Sequence, residues 1–292
     1  MPFQCLPFRV TRSLCHSSRT DLVKINIPSF RHKIMVFTAQ NFYEQLPGLL
    51  RVVSGGEAVQ DEESPLVAIA RAVLKGSAQV ASGDMPLSAF NVQLSQSHGT
   101  QSTPVISFPA SGERTDVRNA ITSALEDFVV EETGLQRNIA AAFKYVADEI
   151  IDNITEHADT PLGYFNASWD GETVTVCIAD GGKTIFGSYL DRQFEGIAND
   201  QAALHAAVSG VSTKNRPGAE NRGFGISTSA DMVIRGLDSA MVILSGRGLL
   251  IRNRERNDFT ELPEPVYMPG TLVCFTMPVR KDGFTIYEYI GG

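Results

Sequence analysis

The chain has 292 residues, of which 43% are hydrophobic and 20% are charged, and its formal net charge is −8. This length allows one large domain or two modest ones with a full hydrophobic core. The acidic balance argues against a nucleic-acid-binding surface, which needs basic residues. No apolar run approaches the roughly 20 residues that cross a bilayer, so we expect no membrane insertion.

The first 35 residues have a different composition from the rest of the chain. They contain six Lys or Arg and a single acidic residue, Asp21. An Arg- and Ser-rich segment with few acids is typical of a transit peptide, whereas the continuous apolar stretch of a secretory signal is missing. We favour an unstructured or mis-assigned leader before Met35, and a targeting segment is the alternative.

Residues 36–104 are predicted to form a small helical region followed by a linker. In the stretch "LVAIARAVLKG", Leu66, Ile69, Ala70 and Val73 have the spacing of one helical face. Residues 76–104 are rich in Ser, Gln and Gly and show no clear period, which indicates a loop or linker.

Residues 105–292 are predicted to form an α+β domain. Two long helical patterns are followed by a hairpin around Asp170-Gly171, a long polar segment, another helix and three strands. This order favours a mixed sheet with helices on one face. Cys177 and Cys274 lie in apolar strand-like runs and form no C-x-x-C pair, which indicates buried thiols in a reducing compartment and hence a cytoplasmic protein.

The stretch "EIIDNITEHA" (149–158) places polar groups beside an apolar helical stripe. Glu149 and Asn153 are four residues apart, so they lie on the same edge of the stripe, and His157 continues that edge by one turn. A carboxylate and an amide oxygen in this arrangement suit a base and a ligand of Mg²⁺, which prefers oxygen. A solvated helix flank is the alternative interpretation.

Three later stretches contain further candidate site residues. In "CIADGG", an apolar strand ends at Asp180, and the following glycines, including Gly182, let a ligand approach the backbone. In "NRGFGISTSADMV", Gly223 and Gly225 precede a helix, whose N-terminal amides favour a phosphate group. Gly270-Thr271 begins the last strand. Each pattern is common by itself, and a plain β-turn is the alternative for D-G-G.

The order of these patterns resembles the GHKL family of ATP-binding proteins. That family comprises gyrase-type topoisomerases, histidine kinases, MutL-type repair proteins, ninety-kilodalton heat-shock chaperones and anti-sigma-factor kinases. The similarity is carried by E-x-x-x-N, D-x-G after a strand, G-x-G before a helix and the late G-T, and it covers roughly residues 105–280. It implies the two-layer α/β sandwich known as the Bergerat fold.

The resemblance also implies roles for single residues. Asn153 is expected to bind Mg²⁺, and Glu149 to be the general base. Asp180 is expected to bind the adenine amino group and to share a water with Thr271, while Gly182 leaves room for the ring. The phosphates are expected at the backbone amides of Gly223, Phe224 and Gly225. The segment 183–222 corresponds to the ATP lid, and its "VSTKN" makes Lys214 a candidate contact of the γ-phosphate.

Two positions depart from the family pattern. The second glycine of D-x-G-x-G is Thr184, and the first glycine of the phosphate pattern is Asn221. Both substitutions bear on nucleotide geometry, but neither removes a charged group. Glu149, which many histidine kinases lack, favours hydrolysis or phosphotransfer to a hydroxyl.

The functional prediction is an ATP- and Mg²⁺-binding regulatory switch with ATPase or Ser/Thr protein kinase activity, similar to the anti-sigma-factor kinases. Its expected partners are ATP and a protein partner or substrate, with a homodimer as a further possibility. The alternatives are a nucleotide-gated interaction module without turnover, in which residues 36–75 contact the partner, and histidine-kinase-type phosphotransfer in trans.

Overall fold

The computed structural model describes residues 39–56, 64–75, 79–80, 101–112, 115–169, 172–211 and 225–278. Several sequence predictions lie outside these residues: the leader 1–35, most of the linker, the Asp170-Gly171 turn, and the candidate site residues Lys214, Gly223 and Phe224. No helix among the described residues is long and apolar enough to cross a membrane.

The described residues form seven α-helices and nine strands. The helices are α1 (Ala39–Val53), α2 (Pro65–Lys75), α3 (Thr115–Thr133), α4 (Arg137–His157), α5 (Ile185–Asp191), α6 (Asp200–Val208) and α7 (Ile226–Asp231), which a π-helical turn (Met232–Gly236) extends. The strands are β1 (Gln79–Val80), β2 (Gln101–Ser102), β3 (Ile106–Pro109), β4 (Leu162–Trp169), β5 (Thr173–Asp180), β6 (Ala240–Gly246), β7 (Gly248–Arg252), β8 (Asn257–Glu261) and β9 (Met268–Pro278).

The strands form one sheet in the order β1-β3-β4-β5-β9-β6-β7-β8, and β2 pairs with β4 beside this path. All pairs are antiparallel except β1 with β3, which is parallel. The sequence prediction of an α+β fold with a mixed sheet is therefore confirmed. In the centre of the sheet, β5 pairs with β9 so that Ala179 lies opposite Leu272. This register brings the end of β5 next to the start of β9.

One face of the sheet packs against α3, α4 and α7. Successive strand residues point to opposite faces, and on β5 the even-numbered residues Val174, Val176 and Ile178 belong to this core. The apolar stripe of α4 supplies the helical side of the same core, through Phe143, Val146, Ala147, Ile150, Ile151 and Ile154. Burial of this stripe is the reason that α4 lies along the sheet with its polar edge at the rim.

The other face of the sheet is covered by α1 and α2, which corrects the prediction of helices on one face. Helix α2 contacts β4, β5 and β9, and its residues Leu66 and Ile69 are fully buried. On the strands, Cys177 and Cys274 are direct partners on this second face, and both are buried as predicted. The amphipathic pattern of α2 was evident from the sequence, but which face of the sheet it would cover depends on tertiary packing.

Four elements were not predicted from the sequence. Two of them, β1 and β2, lie in the stretch 76–104 that was predicted as a loop or linker, and each has only two residues, too few to show a strand period. Helix α5 lies in the polar segment after β5, and it has only seven residues, too few for a clear apolar period. Strand β8, "NDFTE", is mostly polar because it forms the edge of the sheet, where one side meets solvent.

Candidate functional site

A cavity of about 130 Å³ opens on the α4 face of the sheet, at the end where β5 finishes and β9 begins. The second half of α4 forms one wall, and α5, the end of α6 and the start of α7 form the others. The lining residues are Ile150, Asn153, Ile154, His157, Ala158, Ile178, Asp180, Lys183, Ile185, Ser188, Tyr189, Ala207, Gly210, Val211, Gly225, Ile226, Ser227, Thr271 and Val273. Four predicted site residues, Asn153, Asp180, Gly225 and Thr271, thus lie around one cavity.

Asp180 is the only carboxylate among the lining residues of the described chain, and its side chain is almost wholly buried, with 2% exposed. It accepts hydrogen bonds from two backbone amides, Gly182 N at 2.9 Å and Thr271 N. Burial raises the pKa of Asp180 from 3.8 to about 7, although the two amide donors lower it. A buried carboxyl group that faces a cavity and resists ionisation is typical of a ligand-binding site.

Two glycines allow the backbone to close around Asp180. A Cβ atom on Gly182 would lie 2.0 Å from the backbone oxygen of Ala158, so the loop after β5 can approach the end of α4 only without a side chain. Gly270 has a φ of +71°, and its Cβ would lie 2.3 Å from Oδ1 of Asp180. The sequence predicted that Gly182 leaves room for a ligand ring, whereas the structure shows that it leaves room for the backbone at the end of α4. The role of Gly270 depends on the pairing of β5 with β9.

Beside Asp180, a pair of hydroxyl groups joins β9 to α5. Ser245 Oγ lies 3.0 Å from Thr271 Oγ1 and 3.0 Å from the carbonyl oxygen of Gly270. The same Oγ accepts a hydrogen bond from Ile185 N at 2.9 Å. Ser245 therefore fixes the start of α5 against the cavity floor. No local sequence signal identified Ser245, because it lies in an apolar strand far from the other site residues.

Thr184 occupies the position at which the D-x-G-x-G pattern has its second glycine. Its backbone is extended, and its side chain accepts a hydrogen bond from Gly187 N at 3.0 Å. Thr184 is thus the N-cap of α5, and threonine is a favourable residue at this position. The departure from the pattern is explained by the helix that begins immediately after it.

Asn153 contributes an unpaired polar group to the cavity. Its Nδ2 atom is buried and has no hydrogen-bond partner among the described residues. On the opposite wall, a Cβ atom on Gly225 would lie 4.0 Å from Oδ1 of Asn153, so the backbone before α7 passes close to this amide. A buried polar atom without a partner costs free energy, which a ligand with a complementary group offsets.

Glu149 lies one helical turn before Asn153, but it does not line the cavity. Tyr145 lies one further turn back along α4 on the same edge. Burial, followed by the charge of Glu149, raises the pKa of Tyr145 to about 12.

Other lining groups that were not predicted come from the segment after β5. Tyr189 is 2% exposed, and its hydroxyl group donates a hydrogen bond to the backbone oxygen of Val211. Lys183 forms ion pairs with Asp159 at 3.1 Å and Asp191 at 2.7 Å. These contacts hold α5 between the end of α4 and the chain that follows α6.

The cavity combines apolar walls with few polar groups, as small-molecule sites do. Its volume is close to that of an apolar cavity of roughly 150 Å³ that holds one benzene ring. The described residues contain no group of three or more His, Cys, Asp or Glu side chains that could enclose a metal ion.

Comparisons with known proteins found no matching family model, no matching curated protein and no matching solved structure.

Proposed function

We propose that the cavity is the base-binding part of a Mg²⁺-ATP site and that the protein is a GHKL-type nucleotide-dependent switch. The observation that carries the proposal is Asp180, a buried carboxyl group that faces a cavity of aromatic-ring size. An exocyclic amino group such as that of adenine donates a hydrogen bond to this carboxylate, while Ile150, Ile178 and Val273 pack against the ring. Binding of this donor offsets the desolvation that Asp180 undergoes on folding.

The phosphates and the metal are assigned to the other end of the cavity. The unpaired Nδ2 of Asn153 is a hydrogen-bond donor, which suits a phosphate oxygen, and the close backbone of Gly225 supports the same assignment. Oδ1 of Asn153 is the proposed ligand of the metal. Mg²⁺ fits a site with one protein oxygen, because it keeps several waters and takes phosphate oxygens as further ligands. When bound, the ion neutralises charge on the phosphate oxygens. Lys214, Gly223 and Phe224 complete the proposed phosphate site, and they lie outside the described residues.

Glu149 is assigned as the general base of nucleotide turnover. It accepts the proton of a water molecule, whose oxygen forms a bond to the γ-phosphorus as the bond to the bridging oxygen breaks, giving ADP and phosphate. A serine or threonine hydroxyl of a protein substrate in place of water makes the same step a kinase reaction. Either activity suits a cytoplasmic regulatory switch that acts on a protein partner.

A nucleotide-gated interaction module without turnover is the second candidate function. The position of Glu149 favours it, because this side chain does not line the cavity. In that case ATP binding changes the surface presented to a partner, and Glu149 has only a structural role.

The two functions are separated by phosphate release from Mg²⁺-ATP, with binding measured in parallel on the wild type and Glu149→Ala. For an enzyme, we expect the variant to bind ATP normally and to lose about 10²- to 10⁴-fold in turnover, as expected for a lost general base. Binding without turnover in the wild type supports the gated module. No binding of Mg²⁺-ATP by the wild type contradicts both functions.

A further inference from the structure

Cys177 and Cys274 face each other in the centre of the sheet, on the side that α2 covers. They are direct partners in the antiparallel pairing of β5 with β9, and their Sγ atoms lie 2.6 Å apart. Both thiols are free, and both residues are fully buried. The two sulfur atoms are therefore in direct contact, with no other atom between them.

The backbone at this pair has the geometry that a disulfide needs. Directly opposed residues of an antiparallel pair have Cα atoms about 4.5–5.5 Å apart, and disulfides join residues whose Cα atoms are about 4.4–6.8 Å apart. The two side chains also point to the same face of the sheet, as those of directly opposed residues do. A bond between the sulfur atoms therefore requires no change in the pairing of β5 with β9.

Helix α2 controls access to the two thiols. It packs across β4, β5 and β9 on this face of the sheet, where Leu66 and Ile69 are fully buried. A dissolved oxidant cannot reach either sulfur atom while the helix is in place, because both cysteines are 0% exposed. Single elements of a fold can open without unfolding of the whole protein. Opening of α2 exposes the pair, and its return closes the pair again.

We propose that Cys177 and Cys274 are a modification site, at which a small-molecule disulfide oxidises the pair to a disulfide when α2 opens. One cysteine thiolate attacks a sulfur atom of the oxidant and releases a thiol, which leaves a mixed disulfide. The second cysteine thiolate attacks the protein sulfur of that mixed disulfide and releases the second thiol. The two cysteines lose two electrons and two protons, which the oxidant takes up to become two thiols.

The new bond links the two strands that form the cavity floor. Cys177 precedes Asp180 on β5, and Cys274 follows Thr271 on β9. The two cysteines are 97 positions apart in the sequence, so the disulfide closes a long loop and restricts the unfolded chain. The oxidised protein should therefore melt at a higher temperature than the reduced protein. This inference does not depend on nucleotide binding.

Treatment of the full chain with oxidised glutathione tests the proposal, with mass spectrometry of a digest made without reducing agent. We expect peptides joined through Cys177 and Cys274, and a melting temperature that rises by several degrees and falls back after reduction. Cys274→Ala is the control, because it retains Cys5 and Cys15 and should show no such rise.

The rate of cross-linking tests the part that α2 plays. Ile69→Ala weakens the packing of the helix, so the disulfide should form at least about tenfold faster than in the wild type. Leu74→Ala, at an exposed position of the same helix, should leave the rate within about twofold. Equal rates in the wild type and Ile69→Ala overturn the role assigned to α2.

Three results overturn the modification site itself. The first is that both thiols stay free in the wild type and in Ile69→Ala. The second is that mixed disulfides with glutathione persist at these cysteines, because contact between the two sulfur atoms should resolve them. The third is that either cysteine forms its bond with Cys5 or Cys15 instead.

Discussion

Asp180 is a carboxyl group at the floor of the cavity, and its ionisation is costly because the folded chain removes it from water. The folded protein holds the proton of Asp180 up to about pH 7, whereas the unfolded chain releases it near pH 3.8. Between these values the folded state binds more protons, so the contribution of this group to stability is largest at low pH and is lost as the pH rises through about 7. The fold therefore maintains an unfavourable group at the position where a ligand amine is expected.

Asp180→Asn should remove the free-energy cost of ionising a buried carboxyl group. A pKa raised by about three units corresponds to roughly 4 kcal/mol, so the variant should be more stable than the wild type at pH 8 by up to about that amount. The difference should shrink toward pH 4, where Asp180 is neutral in both folded and unfolded protein. Denaturant unfolding of both proteins from pH 4 to pH 8 measures it, and a difference that does not vary with pH would contradict the burial argument.

At the residue scale, the sequence was informative where a polar group follows an apolar pattern. Asp180, Asn153 and Glu149 could be proposed because each interrupts or borders such a pattern. Ser245 could not, since its role arises from the pairing of β6 with β9, which no local pattern specifies. The sequence also suggested Glu149 as a site residue, but in the structure Glu149 does not line the cavity.

At the element scale, the junction of β5 and β9 depends on a glycine. Gly270 combines a positive φ with a position for Cβ that lies 2.3 Å from two atoms of Asp180, its backbone oxygen and Oδ1. An alanine there suffers both the backbone strain of the left-handed region and a steric clash with the cavity floor.

Gly270→Ala should therefore destabilise the protein more than a glycine substitution with backbone strain alone. Gly134 is the matched control, because its φ is +69° and no atom lies within 4 Å of its Cβ position. We expect about 1–2 kcal/mol of destabilisation for Gly134→Ala, and about 1–3 kcal/mol beyond that for Gly270→Ala. Equal unfolding free energies for the two variants would show that the junction tolerates a side chain.

Helix α2 is the element that most changes the expected architecture. It covers the second face of the sheet, and near its end Val73 Cγ1 lies 3.3 Å from the position of a Cβ on Gly181, the residue after Asp180. The helix thus contacts the loop that follows β5 from the side opposite the cavity. The sequence predicted the apolar face of α2. It could not predict that this face packs on the second face of the sheet, because that packing depends on long-range contacts.

Ile69→Ala should reveal how much the packing of α2 on the sheet contributes to the unfolding free energy. Ile69 is fully buried, so we expect a loss of about 2–5 kcal/mol in unfolding free energy, whereas Leu74→Ala, at a residue 39% exposed, should cost less than about 1 kcal/mol.

Burial raises the pKa of the Cys274 thiol beneath the helix, so it should react slowly with a thiol reagent. Ile69→Ala should accelerate this labelling, and an unchanged rate would argue that α2 does not protect the sheet.

At the scale of the whole molecule, the cavity lies where four separate parts of the chain meet. The end of α4, the end of β5, the start of α7 and the start of β9 are distant in sequence, and the sheet register and the packing of α4 bring them together. The order of motifs predicted this meeting through a family resemblance. The α+β class and the mixed sheet were confirmed, while the ligand remains a proposal.

The central claim is that this meeting point binds Mg²⁺-ATP, and calorimetric titration of ATP into the full chain tests it most directly. The account predicts saturable binding of ATP to the wild type, with an affinity that falls when Mg²⁺ is chelated. Asn153→Ala should bind ATP only as tightly as the wild type does without Mg²⁺. Asp152→Asn, on the exposed side of the same helix, should bind as the wild type does. No heat of binding, or an affinity that is the same with and without Mg²⁺ and in Asn153→Ala, would contradict the account.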